Sequence, residues 1–189
     1  MSALLLTHGA GSNRNAPLLV AVAKALEPIQ VVRYDLPFRQ QRPHGPPRPA
    51  DAARDRAGLQ DQMNALRHNA PGPFYLGGVS YGGRQASMLL AEQPDIAGGL
   101  LLLSYPLHPP GKPDQLRTAH LPAIKIPTLF VHGSRDPFGS LDEIEAAMRL
   151  IPARTKLVAV AGAGHDLKGA APAIASAFRE FFDLSTAGA

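Results

Sequence analysis

The chain has 189 residues, of which 45% are hydrophobic, and a formal net charge of +4 at pH 7. That length is enough for one sizeable core and short for two, so we expect a single domain over residues 1–189. The absence of cysteine excludes a disulfide framework and a thiolate metal site. The sequence has no run of 18 apolar residues and no signal-like leader, which predicts a cytoplasmic protein with no membrane partner.

Much of the positive charge comes from arginine, and four arginines fall near one segment: Arg33, Arg39, Arg42 and Arg48. Sites that bind nucleic acid usually combine basic residues with aromatic side chains or present them on a helix. Here the arginines alternate with prolines instead, which favours a solvated loop. We therefore expect no nucleic-acid partner.

The first part of the chain reads as two strands around a helix, followed by an irregular segment. Residues 3–7 and 30–34 have the length and composition of strands. Between them, Pro17 suits the first turn of a helix that ends before Pro28. Residues 38–50 are rich in proline and arginine, so we predict a surface loop, either a flap on the substrate side or an extended connector.

The rest of the chain alternates strands with helices. Short apolar runs predict strands over residues 74–80, 98–104, 128–132 and 155–160. Apolar residues at helical spacing predict helices over residues 51–68, 83–92, 141–151 and 172–182. The segment 105–126 is rich in proline, so we expect a loop with at most one short helix.

Strands that are separated by helices imply right-handed crossovers and a parallel sheet. We therefore predict an α/β fold, a three-layer αβα sandwich with a mostly parallel sheet of about six strands. In such sheets, ligands bind beyond the carboxyl ends of the strands. His8, Ser80, Asp136 and His165 each follow a predicted strand, so the fold should gather these side chains at one edge.

One of these residues lies in the motif G-x-S-x-G, formed by Gly78, Ser80 and Gly82. A strand that turns sharply into a helix strains the backbone of the residue at the apex, and glycine on either side avoids a collision. Such a turn exposes the serine hydroxyl and aims the N–H of Tyr81 at the space before it, where an oxyanion would develop. Glycine-rich turns with a solvated serine are also common, so the motif needs its context.

A second glycine-containing turn, His8-Gly9-Ala10-Gly11, follows the first strand. A loop of this composition can fold back and offer a backbone N–H to an anion. An ordinary turn between strand and helix has the same composition. If the loop serves the serine, Ala10 provides the second N–H of an oxyanion hole.

A serine hydroxyl is a poor nucleophile at neutral pH unless a base, oriented by a carboxylate, lies within hydrogen-bond reach. His165 and Asp136 fit these roles because each follows a predicted strand, and the order Ser80, Asp136, His165 is the one expected for this topology. Asp166 and Asp35 are alternatives for the acid. Asp166 is the immediate neighbour of the base, and Asp35 follows a strand on the far side of the serine.

With these motifs the chain resembles the α/β-hydrolase superfamily, in its compact, lid-less branch of small bacterial esterase-like and dienelactone-hydrolase-like proteins. The resemblance covers nearly the whole chain. The chain starts at what would be the family's third strand, so we expect neither the first two strands nor a helical cap. A serine in place of cysteine as nucleophile argues against a strict dienelactone hydrolase.

The resemblance implies a serine hydrolase, a carboxylesterase that acts on small acyl esters through an acyl-enzyme and needs no cofactor or metal. Tyr105, Leu107 and Phe138 follow neighbouring strands and are our candidates for the lining of the substrate pocket. Some relatives serve as subunits or scaffolds, so a non-catalytic interaction protein is an alternative. Thioester or peptide hydrolysis by the same triad is another, and the sequence leaves the oligomeric state open.

Overall fold

The structure is a computed structural model, and it describes residues 2–69 and 72–184. It contains one sheet of six strands: β1 (Ala3–Thr7), β2 (Gln30–Tyr34), β3 (Phe74–Val79), β4 (Gly99–Leu103), β5 (Thr128–Gly133) and β6 (Thr155–Val160). The strands lie in the order β2-β1-β3-β4-β5-β6, and every neighbouring pair is parallel. The predicted sheet is therefore confirmed.

The described residues contain six α-helices: α1 (Pro17–Ala25), α2 (Pro37–Gln41), α3 (Ala52–Asn69), α4 (Tyr81–Glu92), α5 (Leu141–Met148) and α6 (Ala171–Phe181). Short 3-10 turns at Pro49–Asp51, Pro94–Ile96 and Leu121–Ala123 complete the described secondary structure. The segment 105–126 holds one of these turns and no longer helix, as its prolines predict. Within the described residues, no helix has both the length and the hydropathy to cross a membrane.

The sheet separates two apolar cores, which gives the predicted three layers. Alternate residues of a strand point to opposite faces, and in β1 the side chain of Leu5 joins one core while Leu4 and Leu6 join the other. Residues from α3, α4 and α5 pack on the first face, and residues from α1 and α6 pack on the second. The four inner strands are buried on both faces, and this explains their near-continuous apolar sequences.

The prediction that residues 38–50 contain no regular element is wrong at the start of the segment. Pro37 occupies the first turn of α2, where its missing N–H and fixed φ do no harm. Phe38 is fully buried in the first core, and the Arg39 side chain is buried beside it. Burial of one aromatic ring therefore holds a helical turn that the local composition did not favour.

Candidate active site

The carboxyl ends of the parallel strands bring the four predicted side chains to one edge of the sheet. His8 follows β1, Ser80 follows β3, Asp136 lies three residues beyond β5, and His165 lies in the loop after β6. Ser80 is the residue between β3 and α4. The topology thus places residues from distant parts of the chain around one serine.

The turn at Ser80 has the strained geometry that the motif predicts. Ser80 has φ 51° and ψ −118°, a conformation that side-chain-bearing residues rarely adopt. A Cβ at Gly78 would lie 2.5 Å from the backbone of Gly82 and Gly83, so a glycine is required there. A Cβ at Gly82 would instead collide with the backbone oxygen of His8, so this glycine is required because the loop after β1 packs against the turn.

A continuous chain of hydrogen bonds joins Ser80, His165 and Asp136. The Nε2 atom of His165 lies 2.8 Å from Oγ of Ser80, and its Nδ1 atom lies 2.8 Å from Oδ2 of Asp136. An ionised carboxylate can only accept, so Nδ1 carries the proton and Nε2 is free to accept one from the serine. The arrangement is that of a serine activated by a base whose tautomer is fixed by an acid.

The carboxylate of Asp136 is fully buried, but both of its oxygens accept hydrogen bonds. Burial alone would raise the pKa of this carboxyl, but hydrogen bonds from His165 and from the Phe138 N–H (2.9 Å) outweigh it and lower the pKa. The carboxylate therefore stays ionised beside the imidazole. Neither alternative acid contacts His165: Asp166 is exposed and accepts from the Lys168 N–H, while Asp35 accepts from the Arg14 N–H.

Two aromatic rings support the acid and the base. The Phe138 ring stacks on the His165 imidazole, with centroids 4.2 Å apart and planes at 29°. The imidazole of His132, at the end of β5, lies 3.6 Å from the Asp136 carboxylate and contacts the Gly139 carbonyl at 2.9 Å. Burial lowers the pKa of His132, so the ring is neutral and does not compete with His165 as a cation. His132 was not predicted as a site residue, although its position at the end of a predicted strand could have indicated it.

The two amides predicted to stabilise an oxyanion border the same cavity as Ser80. Tyr81 is the first residue of α4, where N–H groups have no partner within the helix, and Ala10 lies in the loop after β1. Within residues 2–69 and 72–184, neither amide donates to another protein group. Both donors are thus available to a group bound in front of the serine.

His8 shapes the loop that carries Ala10 and does not contact the serine. Its Nδ1 atom lies 2.8 Å from the Gly9 carbonyl and must donate to it, while its Nε2 atom accepts the Leu36 N–H at 3.1 Å. Both contacts require a neutral ring, in agreement with the lowered pKa that burial gives His8. His8 therefore fixes the fold of the loop as a buried, uncharged structural residue.

Arg39 holds the other side of this loop. Its buried guanidinium donates to the carbonyls of Ala10 (2.8 Å), Ser12 (2.8 Å), Arg42 (3.1 Å) and Gly45 (3.0 Å). One cation thus ties the loop after β1 to the start of the proline-rich segment. The interpretation of Arg39 as one of several solvated arginines is wrong, because the four carbonyls replace water around its charge.

In the ester hydrolysis that the sequence predicts, removal of this guanidinium is expected to lower kcat about 10-fold, because the Ala10 peptide loses its fixed orientation. Arg39→Met should therefore change kcat more than KM in ester hydrolysis, and Arg39→Lys should restore part of the loss. Arg42→Met is the control, since it removes an ion pair with Asp51 in the same segment without contact to Ala10. An equal kcat loss in both methionine variants would contradict the role assigned to Arg39.

Asp55 supports the turn at Ser80 through a contact with Tyr81, and it was not predicted as a site residue. This buried carboxylate accepts from the Tyr81 hydroxyl at 2.7 Å and from the Phe38 N–H at 2.9 Å. Burial raises the pKa of Asp55 despite these two hydrogen bonds. The contact joins α3 to both α2 and the first residue of α4. Only the fold could reveal it, because Asp55 looks like an ordinary helix residue in the sequence.

A cavity of about 530 Å³ opens in front of Ser80. Of the three predicted lining residues, Phe138 borders it, whereas Tyr105 and Leu107 do not. Both are 1% exposed and lie in the first core, and the Tyr105 hydroxyl donates to the Arg117 carbonyl at 2.6 Å. The Leu107 N–H donates to the Tyr105 carbonyl at 2.9 Å, which closes a tight turn at Pro106, and Pro106 borders the cavity instead.

The described residues contain no group of three His, Asp or Glu side chains that could hold a metal ion. The side chains and backbone groups that the structure brings together at this edge are a hydroxyl, an imidazole, a carboxylate and amide donors. Such a set can transfer a proton and form a covalent intermediate at the serine.

Comparison with known proteins gives the same fold. A family model described as an alpha/beta hydrolase domain matches residues 1–176. Dienelactone hydrolase from Anabaena variabilis is similar over 97% of this chain and 86% of its own, with 25% identity and a TM-score of 0.77. Est1E from Butyrivibrio proteoclasticus shares 18% identity over 96% of this chain and 86% of its own, with a TM-score of 0.75.

A thermophilic esterase from Thermogutta terrifontis is similar as well, with 21% identity, a TM-score of 0.75, and coverage of 97% of this chain and 90% of its own. These likenesses agree with the six-stranded parallel sheet and with the absence of a separate cap over the described residues. The family match extends over most of the sequence and includes every residue of the candidate site. The chain therefore belongs to the alpha/beta hydrolase domain family.

Proposed function

We propose that this protein is a serine hydrolase that cleaves small acyl esters through an acyl-enzyme. The observation that supports the proposal most strongly is the hydrogen-bonded chain from Ser80 through His165 to Asp136, which three separate strand ends assemble. The names dienelactone hydrolase and esterase, carried by two structural neighbours, agree with ester hydrolysis.

In the first half of the proposed reaction, Oγ of Ser80 attacks the ester carbon as its proton passes to Nε2 of His165. Asp136 stabilises the imidazolium that forms, and the N–H groups of Tyr81 and Ala10 stabilise the oxyanion of the tetrahedral intermediate. The carbon–oxygen bond to the alcohol then breaks, and His165 returns the proton to the departing oxygen. The product of this half is an ester between Ser80 and the acyl group.

In the second half, a water molecule attacks the acyl carbon while His165 accepts its proton. A second tetrahedral intermediate collapses, the bond to Oγ of Ser80 breaks, and His165 protonates the serine. The carboxylic acid leaves and the site returns to its first state. Beyond the ester, every step uses only water and side-chain and backbone groups of this protein.

Covalent labelling tests the proposal directly. A fluorophosphonate probe is expected to modify the wild-type protein on the peptide that contains Ser80, because the activated hydroxyl attacks phosphorus as it would a carbonyl carbon. Mass spectrometry of the digested protein reads out the site, and heat-denatured protein is the control. Folded protein that remains unlabelled and does not hydrolyse p-nitrophenyl acetate would point to a non-catalytic interaction protein instead.

A further inference from the structure

The cavity in front of Ser80 is strongly cationic. Three arginines border it, Arg48, Arg84 and Arg117, and its lining, as described, contains no aspartate or glutamate. Two arginines close to Arg48 in the chain are instead paired with an acid: Arg42 and Arg54 contact Asp51. The lining of the cavity therefore carries positive charge with no acid to balance it.

Arg84 lies one turn along α4 from the serine, and its backbone N–H donates to the Ser80 carbonyl at 2.9 Å. Its side chain is half-buried, and its Nε atom is buried with no hydrogen-bond partner within the described residues. No described carboxylate lies within 4.0 Å of it. A guanidinium N–H group is a strong donor, and leaving it buried without an acceptor is costly.

Arg117 comes from the long loop after β4 and is held in place by the core. Its backbone carbonyl accepts from the Tyr105 hydroxyl at 2.6 Å, its N–H donates to the Leu107 carbonyl at 2.8 Å, and its Nη1 donates to the Pro106 carbonyl at 3.1 Å. Burial, and then the positive charge of Arg84, lowers the pKa of Arg117. Arg84 and Arg117 border the same cavity, so an anion bound there would offset the repulsion between their like charges.

Gln85 supplies an independent sign of a ligand. Its side chain is fully buried, yet it borders the cavity, and its Oε1 accepts from Arg56 at 3.2 Å. That contact assigns the amide orientation and makes Nε2 the remaining donor. Nε2 has no partner in the part of the chain that the structure describes. A buried donor of this kind is normally satisfied in the functional state.

We propose that Arg84 and Arg117, with the amide of Gln85, form a subsite for a carboxylate or similar oxyanion of the substrate. The preferred substrate of Ser80 is then an ester that carries a second, negatively charged group. This inference rests on the proposed function, and it adds the substrate class. Guanidinium groups suit this task because they present several N–H donors in a planar fork that matches carboxylate geometry.

The negative group can belong to the acyl part or to the alcohol part of the ester, and two pairs of substrates distinguish these cases. Monomethyl succinate against methyl butyrate tests a charged acyl part, and 4-carboxyphenyl acetate against phenyl acetate tests a charged alcohol part. Hydrolysis is followed by titration of the released acid, with Ser80→Ala protein as the blank. The measured quantity is the ratio of kcat/KM for the charged ester to that for the neutral ester.

The wild-type protein is expected to favour the charged member of at least one pair by about 10-fold or more. In that pair, Arg84→Gln and Arg117→Gln should each lower the ratio about 10-fold, since each removes one charge-assisted contact. Arg149→Gln, at an exposed position outside the cavity, is the matched control and should keep the wild-type ratio. A ratio that neither cavity variant changes in either pair would overturn the subsite.

A binding measurement separates failure of the subsite from failure of the proposed function. Calorimetric titration of Ser80→Ala protein with monomethyl succinate and with 4-carboxyphenyl acetate needs no turnover. If wild-type protein hydrolyses no ester, the proposed function is rejected. The anion subsite is still supported if a charged ester binds to Ser80→Ala protein and this binding is lost in the double variant that also carries Arg84→Gln. A different result would reject the subsite and keep the hydrolase. In that case wild-type protein cleaves neutral esters, Arg84→Gln leaves the charged-to-neutral ratio of kcat/KM unchanged, and no charged ester binds.

Discussion

Ser80→Ala is expected to lower kcat for ester hydrolysis at least about 10⁴-fold, the largest effect that we predict for a single substitution. The change removes the atom that forms the acyl-enzyme, and neither His165 nor the amides of Tyr81 and Ala10 can replace it. KM should change little because the cavity walls are unaltered. Initial rates with p-nitrophenyl acetate and covalent labelling provide two independent measurements.

Ser104→Ala is a matched control for this result. Ser104 also follows a strand, has a positive φ of 50°, and is buried with its hydroxyl unpaired among the described residues. Its substitution therefore imposes the same backbone demand without touching His165. A Ser104→Ala protein that loses as much activity as Ser80→Ala, or a Ser80→Ala protein with the wild-type rate, would contradict the nucleophile.

Asp136→Asn is expected to lower kcat about 10³-fold to 10⁴-fold. The asparagine side chain can present an N–H group to Nδ1 of His165, which stabilises the wrong tautomer and places a proton on Nε2 where the base must accept one. It also lacks the charge that stabilises the imidazolium. Its amide oxygen can still accept from the Phe138 N–H, so the melting temperature should fall by only a few degrees.

Asp166→Asn is the control for the acid, because Asp166 is the neighbour of His165 in the chain and an alternative that the sequence left open. The partner that the structure shows for His165 is Asp136, 29 residues before it in the chain. The exposed Asp166 side chain contacts only the Lys168 N–H in the described structure, so kcat should stay within about 3-fold of wild type. A larger loss for Asp166→Asn than for Asp136→Asn would reassign the acid.

The sheet could be predicted from the sequence because its inner strands are buried on both faces. Continuous apolar runs such as Gly99–Leu103 have few alternative structures in a chain that also contains regular helical patterns. The candidate site followed from the same reasoning, since parallel strands end at a common edge. The structure brings Ser80, Asp136 and His165 into contact there. Their catalytic roles, the single domain over residues 1–189 and the cytoplasmic location stay predictions.

The parts that could not be predicted depend on contacts between distant segments. Composition favoured a solvated loop at Arg39, whereas four backbone carbonyls from two segments surround its charge. Tyr105 is buried in the first core, whereas its neighbour Pro106 borders the cavity, and only the path of the loop decides which of the two does so. The spacing of Arg84 and Arg117 likewise gives no sign that both face Ser80.

The loop after β1 packs closely against the turn at Ser80, and this packing limits how the cavity beside the serine can be redesigned. Gly82 has no room for a side chain beneath the His8 carbonyl, and a Cβ on Gly78 would lie 2.5 Å from the backbone of Gly82 and Gly83. Side chains therefore cannot be added at these glycines without displacing the turn that carries Ser80. New specificities are therefore best sought at Pro47 and Pro106, which border the cavity and are not among the nearest neighbours of either glycine.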